Sequence, residues 1–183
     1  MNKNLNPAVF LDRDGVLCRT TVCNGKPYAP QHLKDFILLP NAYRSVKLLK
    51  QLGFKVIVVT NQPDIGNGLV SSKVVDDMHR KLYAKTKVDD IFMCAHRQDE
   101  GCNCRKPKAG MLFAASDKHG IDLKRSFMVG DRTGDIKAGQ EVGCRTIFID
   151  RRYKEPRPSK TDATVKSLQS ATVFIFNAIN RKK

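Results

Sequence analysis

A chain of 183 residues, 41% of them apolar, fits one globular domain able to bury about 70% of the surface its unfolded form exposes. The longest apolar run before Asp12 is four residues (AVFL) and no run approaches the roughly 20 that cross a bilayer, so neither a signal peptide nor a membrane span is expected; the six cysteines then point to reduced thiols or metal ligands in a cytoplasmic protein, not to a disulfide framework. The net charge of +15, divided as +8 over residues 1–150 and +7 over 151–183, suits an anionic partner: a phosphorylated small molecule or, less well given scattered cations and 7% aromatics, a nucleic acid.

Along the chain, short runs rich in Val, Ile and Phe alternate with longer segments of helical period. AVFLD (8–12) reads as a strand, NAYRSVKLLKQLG (41–53) as a helix, KVIVVT (55–60) as a strand, SSKVVDDMHRKLYAK (71–85) as a helix and DIFMC (90–94) as a strand. PKAGMLFAASDKHG (107–120) reads as a helix stopped by glycine, SFMVG (126–130) as a strand, TGDIKAGQEVG (133–143) as a helix and RTIFID (145–150) as a strand. A polar connector, DRRYKEPRPSK (150–160), precedes an edge strand in ATVKSL and a closing helix in SATVFIFNAINRKK. Strands without polar alternation are buried on both faces, and strands separated by helices are joined by crossovers. The expected fold is therefore α/β, a three-layer doubly wound parallel sheet forming a single domain over 1–183, with a basic segment at 151–183 and no large cap. The stretch from Cys18 to Pro40 is too long for an ordinary strand-to-helix turn and is expected to overhang a site.

FLDRDGVL places Asp12 and Asp14 two residues apart where a strand gives way to Gly15. In extended geometry both carboxylates face one way, into the crevice beyond the strand ends where open α/β sheets bind ligands. GDRTGD puts Asp131 and Asp135 at the end of another strand. Several carboxylates meeting there repel one another unless a cation sits among them, and an all-oxygen site of that kind suits Mg²⁺. A carboxylate is also a nucleophile for phosphoryl groups. Asp14 is a candidate acid/base, and Thr60 and Lys106 are candidate donors to the transferring phosphoryl oxygens.

These motifs carry a resemblance. FLDRDGVL, VIVVTNQ, CRKP and VGDRTGD are similar, in order, to the four signature motifs of the haloacid-dehalogenase-like phosphatases, covering most of residues 8–150. Within them the chain resembles the zinc-containing branch, which holds heptose-bisphosphate and histidinol-phosphate phosphatases. The resemblance implies Asp12 as nucleophile and Asp14 as general acid/base, with Mg²⁺ held by Asp12, a main-chain oxygen of Asp14, and Asp131. It implies Thr60 and Lys106 on the phosphoryl group, Arg13, Asn61, Arg105 and Arg132 on the substrate, and Asp135 as support behind Asp131. The implied substrate is a small phosphorylated sugar; a monomer is expected.

CAHRQDEGCNC (94–104) has the pattern CxHx5CxC. Cys94, His96, Cys102 and Cys104 make a closed Cys₃His set of the structural zinc kind, whereas a redox pair of Cys102 and Cys104 leaves Cys94 and His96 unexplained. Pinning this loop pins Arg105 and Lys106, which follow directly. Cys18 and Cys23 read as small-residue filler, Cys144 as core, and His32, His79 and His119 as surface. Val173, Phe174, Ile175 and Phe176 read as packing of the last element. Two other readings compete: a nucleic-acid 3′-phosphatase drawn to its substrate by charge, and a non-catalytic zinc knuckle on a phosphatase-like fold.

Overall fold

The computed structural model describes residues 5–180. Strand β1 (Ala8–Leu11) is followed by a hairpin of β2 (Thr21–Cys23) and β3 (Lys26–Tyr28), then α1 (Ala42–Gln51), β4 (Lys55–Asn61), a short α2 (Pro63–Gly66), α3 (Ser72–Thr86) and β5 (Asp90–Cys94). The second half runs α4 (Gly110–His119), β6 (Phe127–Gly130), α5 (Thr133–Glu141), β7 (Arg145–Ile149), β8 (Ala163–Val165) and α6 (Leu168–Asn180). Six strands form a parallel sheet in the order β5-β4-β1-β6-β7-β8.

Alternation within each strand builds two cores. Val9, Leu11, Val56, Val58 and Val129 face one side, where α1, α3 and α6 bring Val46, Leu49, Met78, Leu82 and Ile175. Phe10, Ile57, Val59 and Met128 face the other, against Met111, Leu112 and Ala115 of α4 and Ala138 of α5. Apolar burial on both faces is what β-branched runs without polar alternation demand, and it holds the sheet between two helical layers. The chain leaves β1 toward β4 and β5 on one side and later crosses to β6 and β7 on the other, so the strand order reverses at β1. Such a switch point opens a crevice beyond the carboxyl ends of the strands.

The predicted elements all form. The 107–120 helix starts only at Gly110, because the chain from Arg105 to Lys108 turns on itself through Lys108 N donating to the Arg105 carbonyl, 3.0 Å. The overhanging stretch after Cys18 contains a hairpin not among the predicted elements: Asn24 and Gly25 both have positive φ (52° and 82°) and close the β2–β3 turn, which an Asn-Gly pair favours. In α6, Ile175 is buried and Phe174 packs on the core, but Val173 and Phe176 are exposed, so only half of that apolar run is packing. Residues 181–183 of the predicted closing helix lie outside the described residues.

Candidate active site

Three adjacent strand ends meet at the switch point. β1 delivers Asp12, which is level with the end of β6 because Asp12 N donates to the Val129 carbonyl (3.0 Å), and β6 delivers Asp131 one residue past its last strand position. Lys106 arrives from the loop before α4, its Nζ 2.8 Å from Asp12 Oδ1, 2.7 Å from the Val59 carbonyl and 2.6 Å from Asp135 Oδ1. Asp12, Asp131 and Asp135 each place a carboxylate oxygen within 4.8 Å of the others, and all three are buried. Asp135, the third residue of α5, also caps that helix by accepting from Arg132 N, 3.0 Å.

One lysine does not balance three buried carboxylates. Burial pushes Asp12 up to about 7; the attraction of Lys106 opposes the shift, and repulsion by Asp135 and Asp14 adds to it. Asp131 is pushed well above the usual carboxylate range by burial, then by Asp12 and Asp135. Burial works against the Lys106 charge, but Asp12 and Asp135 outweigh it and hold its pKa above normal. Asp131 Oδ1 is buried without a hydrogen-bond partner, while Oδ2 accepts from the Tyr153 hydroxyl at 2.9 Å. An orphaned carboxylate oxygen beside an uncompensated negative pair is what a hard divalent cation satisfies, so the donor set fits Mg²⁺.

Asp14 also lines the cleft. Its carboxylate accepts from Arg13 Nε (3.1 Å to each oxygen), Arg13 Nη2 (2.9 Å), Gln62 Nε2 (2.7 Å) and the Cys18 thiol (3.1 Å). Arg13 therefore does not meet the expectation of a substrate contact: its side chain is fully buried, lies 5.5 Å from the centre of the Phe36 ring and is spent on orienting Asp14. Its Nη1 lies 3.1 Å from His79 Nε2, so His79 is not a free surface residue either; burial, reinforced by the Arg13 charge, lowers it to about 4 and keeps it a neutral acceptor. Cys18 is part of the same packing, Cys144 is buried as expected and Cys23 is exposed. His119 is half-buried with Nε2 2.7 Å from Asp90 Oδ2, whereas His32 is exposed.

Thr60 is fully buried at the end of β4, its hydroxyl accepting from Gln62 Nε2 at 3.0 Å, so Gln62, which the motifs did not single out, covers it from the cleft. Asn61 touches the cleft, but its side-chain amide is committed to Lys106: Nδ2 donates to the Lys106 carbonyl (3.0 Å) and Oδ1 accepts from Lys106 N (3.1 Å). Its role shifts from substrate contact to clamp on the lysine's backbone. Arg105 lines the cleft with Nη1 buried and unpartnered; Arg132 lines it too, paired with Glu155. The cleft encloses about 490 Å³, within the range of a small-ligand site. Thr20, Lys26 and Tyr28 from the hairpin region form one wall and Gln98 from the cysteine loop another, so the stretch after Cys18 does overhang the site.

The cysteine loop is folded around its four donors. Cys94 Sγ is 3.6 Å from Cys102 Sγ and from His96 Nδ1; Cys104 Sγ is 3.6 Å from Cys102 Sγ and 3.2 Å from His96 Nδ1. With metal–sulfur bonds of about 2.3 Å, the edges of a tetrahedral zinc site measure about 3.5–3.8 Å, so the set is spaced to close on one zinc ion. The loop seats against α4 through Gly110 N donating to the Asn103 carbonyl (3.2 Å), and a side chain at Gly110 would collide with that carbonyl.

The HAD-hydrolase-like family model matches residues 103–171. The chain is 36% identical over 146 residues to the D-glycero-beta-D-manno-heptose-1,7-bisphosphate 7-phosphatase of Pseudomonas aeruginosa, covering 77% of this chain and 79% of that one. It is 34% identical over 191 residues to the D-glycero-alpha-D-manno-heptose-1,7-bisphosphate 7-phosphatase of Photorhabdus laumondii, covering 98% and 99%. Among solved structures it is similar to the D,D-heptose 1,7-bisphosphate phosphatase of B. bronchiseptica complexed with magnesium and phosphate, with a TM-score of 0.78 and 28% identity over 94% of this chain and 99% of that one.

The raised carboxylates make cation binding pH-dependent. Asp12 binds a proton more readily folded (about 7) than unfolded (3.8), so in the cation-free protein its contribution to stability is present below pH 3.8 and is lost as pH rises through 7. A divalent cation competes with that proton, so Mg²⁺ affinity should be about tenfold or more weaker at pH 5.5 than at pH 8, with the Mg²⁺-induced rise in Tm larger at pH 8. Protonation of His79 affects both samples alike and cancels in the increment. Isothermal titration and thermal unfolding with zinc retained give the numbers; equal Mg²⁺ effects at both pH values would contradict the charge balance.

Proposed function

The chain belongs to the haloacid-dehalogenase-like family of the heptose-bisphosphate phosphatases, and on that premise we propose that it removes the 7-phosphate of D-glycero-D-manno-heptose 1,7-bisphosphate through an aspartyl-phosphate on Asp12. The observation that carries this reading is Asp12, set between the Lys106 ammonium and the unpartnered oxygen of Asp131 at the floor of an open cleft.

Asp12 attacks phosphorus; the bond from phosphorus to the sugar oxygen breaks, and Asp14 delivers its proton to that leaving oxygen. Asp14 then takes a proton from the water that attacks the aspartyl-phosphate, and release of inorganic phosphate restores the Asp12 carboxylate and the protonated Asp14. Arg13 and Gln62 hold Asp14 at the cleft wall throughout. Lys106, clamped by Asn61 and balanced by Asp135, offsets charge on the transferring oxygens. Asp12, Asp131 and the main chain at Asp14 would hold Mg²⁺, which supplies further neutralisation of the phosphoryl group.

Arg105, with a buried donor free, and Lys26 from the hairpin supply positive charge for the phosphate that is not cleaved. Arg132 is held by Glu155 at the rim. Zinc in the Cys₃His loop would act as scaffold, fixing Arg105 and Lys106 before substrate arrives. No bulky apolar side chain lies between His96 and Cys104, so beyond polar contacts such as Arg97 N to Glu100 and Lys108 to the Gly101 carbonyl the loop has only its four donors to order it. Among the described residues no helix is long and apolar enough to cross a membrane, and the reduced thiols suit the cytoplasm. A non-catalytic knuckle would require a damaged acid, nucleophile or cation set, and the residues for all three meet in one cleft.

Asp12→Asn is expected to lower kcat by at least about 10³-fold while retaining the fold, and the wild type to prefer heptose bisphosphate over histidinol phosphate and a 3′-phosphorylated oligonucleotide. A panel holding both heptose anomers, assayed by phosphate release, tests this; substantial turnover by Asp12→Asn, or faster release from the oligonucleotide, would refute the reading. Cys102→Ser is expected to lose zinc and to reduce kcat/KM by about tenfold or more. Zinc content measured beside kcat/KM decides it, and full activity in a zinc-free preparation would remove the scaffold role.

A further inference from the structure

We propose that Tyr153 is a positioning residue for the cation-binding carboxylate of Asp131, tying metal affinity to the connector that crosses the mouth of the site. The inference rests on the reading of Asp131 as a ligand of the catalytic cation. The sequence presents residues 150–160 only as a polar link between a strand and the next element. In the structure this link is fastened to three functional loops. Arg151 Nε donates to the Gly15 carbonyl (2.7 Å), Lys154 N to the Gly25 carbonyl of the hairpin (2.8 Å), and Glu155 pairs with Arg132.

Tyr153 stands at the centre of these contacts. Its hydroxyl is 2.9 Å from Asp131 Oδ2 and 3.1 Å from Thr20 Oγ1. An ionised carboxylate only accepts, so the phenol's single proton goes to Asp131 and the Thr20 hydroxyl donates to the phenol oxygen. The relay thus runs from the segment ahead of the hairpin, through the connector, to the carboxylate. Gly15 leaves space for it: a Cβ there would overlap Asp131 Oδ2 and come within 2.9 Å of the Tyr153 oxygen, and φ is +80°. Both the backbone conformation and the packing at Gly15 therefore exclude a side chain where the two groups meet.

Holding Oδ2 fixes rotation of the Asp131 carboxylate and leaves Oδ1, the buried unpartnered oxygen, as the one offered to the ion. Partners of this kind set ligand orientation, and their loss commonly weakens metal binding by about 10–100-fold. A tyrosine that only glued the connector in place would affect stability and leave cation affinity at saturating folded protein unchanged.

The test is Mn²⁺ binding to zinc-loaded full-length protein, followed by electron paramagnetic resonance, with Tm and KM for substrate at saturating Mn²⁺ recorded in parallel. Tyr153→Phe should weaken Mn²⁺ binding by about tenfold or more, with Tm and saturating-metal KM near wild type. Wild-type Mn²⁺ affinity in Tyr153→Phe would overturn the inference. Asp131→Asn is the control that separates the two layers: if it too binds Mn²⁺ as the wild type does, the cation-site reading itself fails, whereas loss in Asp131→Asn alone rejects only the role of Tyr153. Should Tyr153→Phe not fold, Thr20→Val removes only the hydroxyl's other partner and should weaken Mn²⁺ binding by about threefold; unchanged affinity there would overturn the inference equally.

Discussion

Three buried carboxylates against one buried ammonium is the constraint from which the rest of this site follows. Asp12, Asp131 and Asp135 are held within 4.8 Å of one another, shielded from solvent, and Lys106 satisfies only Asp12 and Asp135. Burial, reinforced by repulsion among the carboxylates, raises the Asp12 and Asp131 pKa values, and one Asp131 oxygen has no donor. An arrangement that is costly when empty of positive charge is well matched to a divalent cation and the phosphoryl oxygens it would hold.

The fold imposes this crowding through strand ends. β4, β1 and β6 lie side by side at the reversal of strand order; β4 ends on Asn61, and β1 and β6 are each followed directly by an aspartate, Asp12 and Asp131. Backbone contacts then lock the fourth contributor, Lys106, which comes from a loop and not from a strand. Asn61 grips its peptide group, and two residues before it Cys104 belongs to the four-donor cluster. In the proposed scaffold role, the cluster would reach Lys106 through three covalently adjacent residues and the amide clamp. At Gly130 a side chain would collide with Asp135, so the close approach of α5 to the end of β6 is itself a condition for the lysine's second ion pair.

The strands were legible because Val-, Ile- and Phe-rich runs without polar alternation have one outcome in a chain of alternating periods, and the helices because glycines and apolar spacing bound them. The cysteine spacing and the carboxylate pairs marked the two clusters of donors that the fold brings together. Arg13 was misplaced by motif although local geometry contained the answer: the same alternation that sends Asp12 and Asp14 into the crevice sends the residue between them behind it, toward Phe36 and His79. The hairpin carried an Asn-Gly signal, but its strands are three residues long and mostly exposed, too short for hydrophobic pattern to mark. Gln62, Tyr153 and Glu155 were invisible for another reason. Each acquires its role from a neighbour brought close only by the folded sheet, and nothing in a local window distinguishes a tyrosine in a polar connector from a solvated one.

The central claim is that Asp12 and Asp131 converge on a single cation beside Lys106. Anomalous diffraction from crystals soaked in Mn²⁺ tests it most directly. One strong peak is expected within bonding distance of a carboxylate oxygen of each of Asp12 and Asp131, separate from the zinc signal at the cysteine loop. Carboxylates pointing into different regions, with no peak between them, would contradict it.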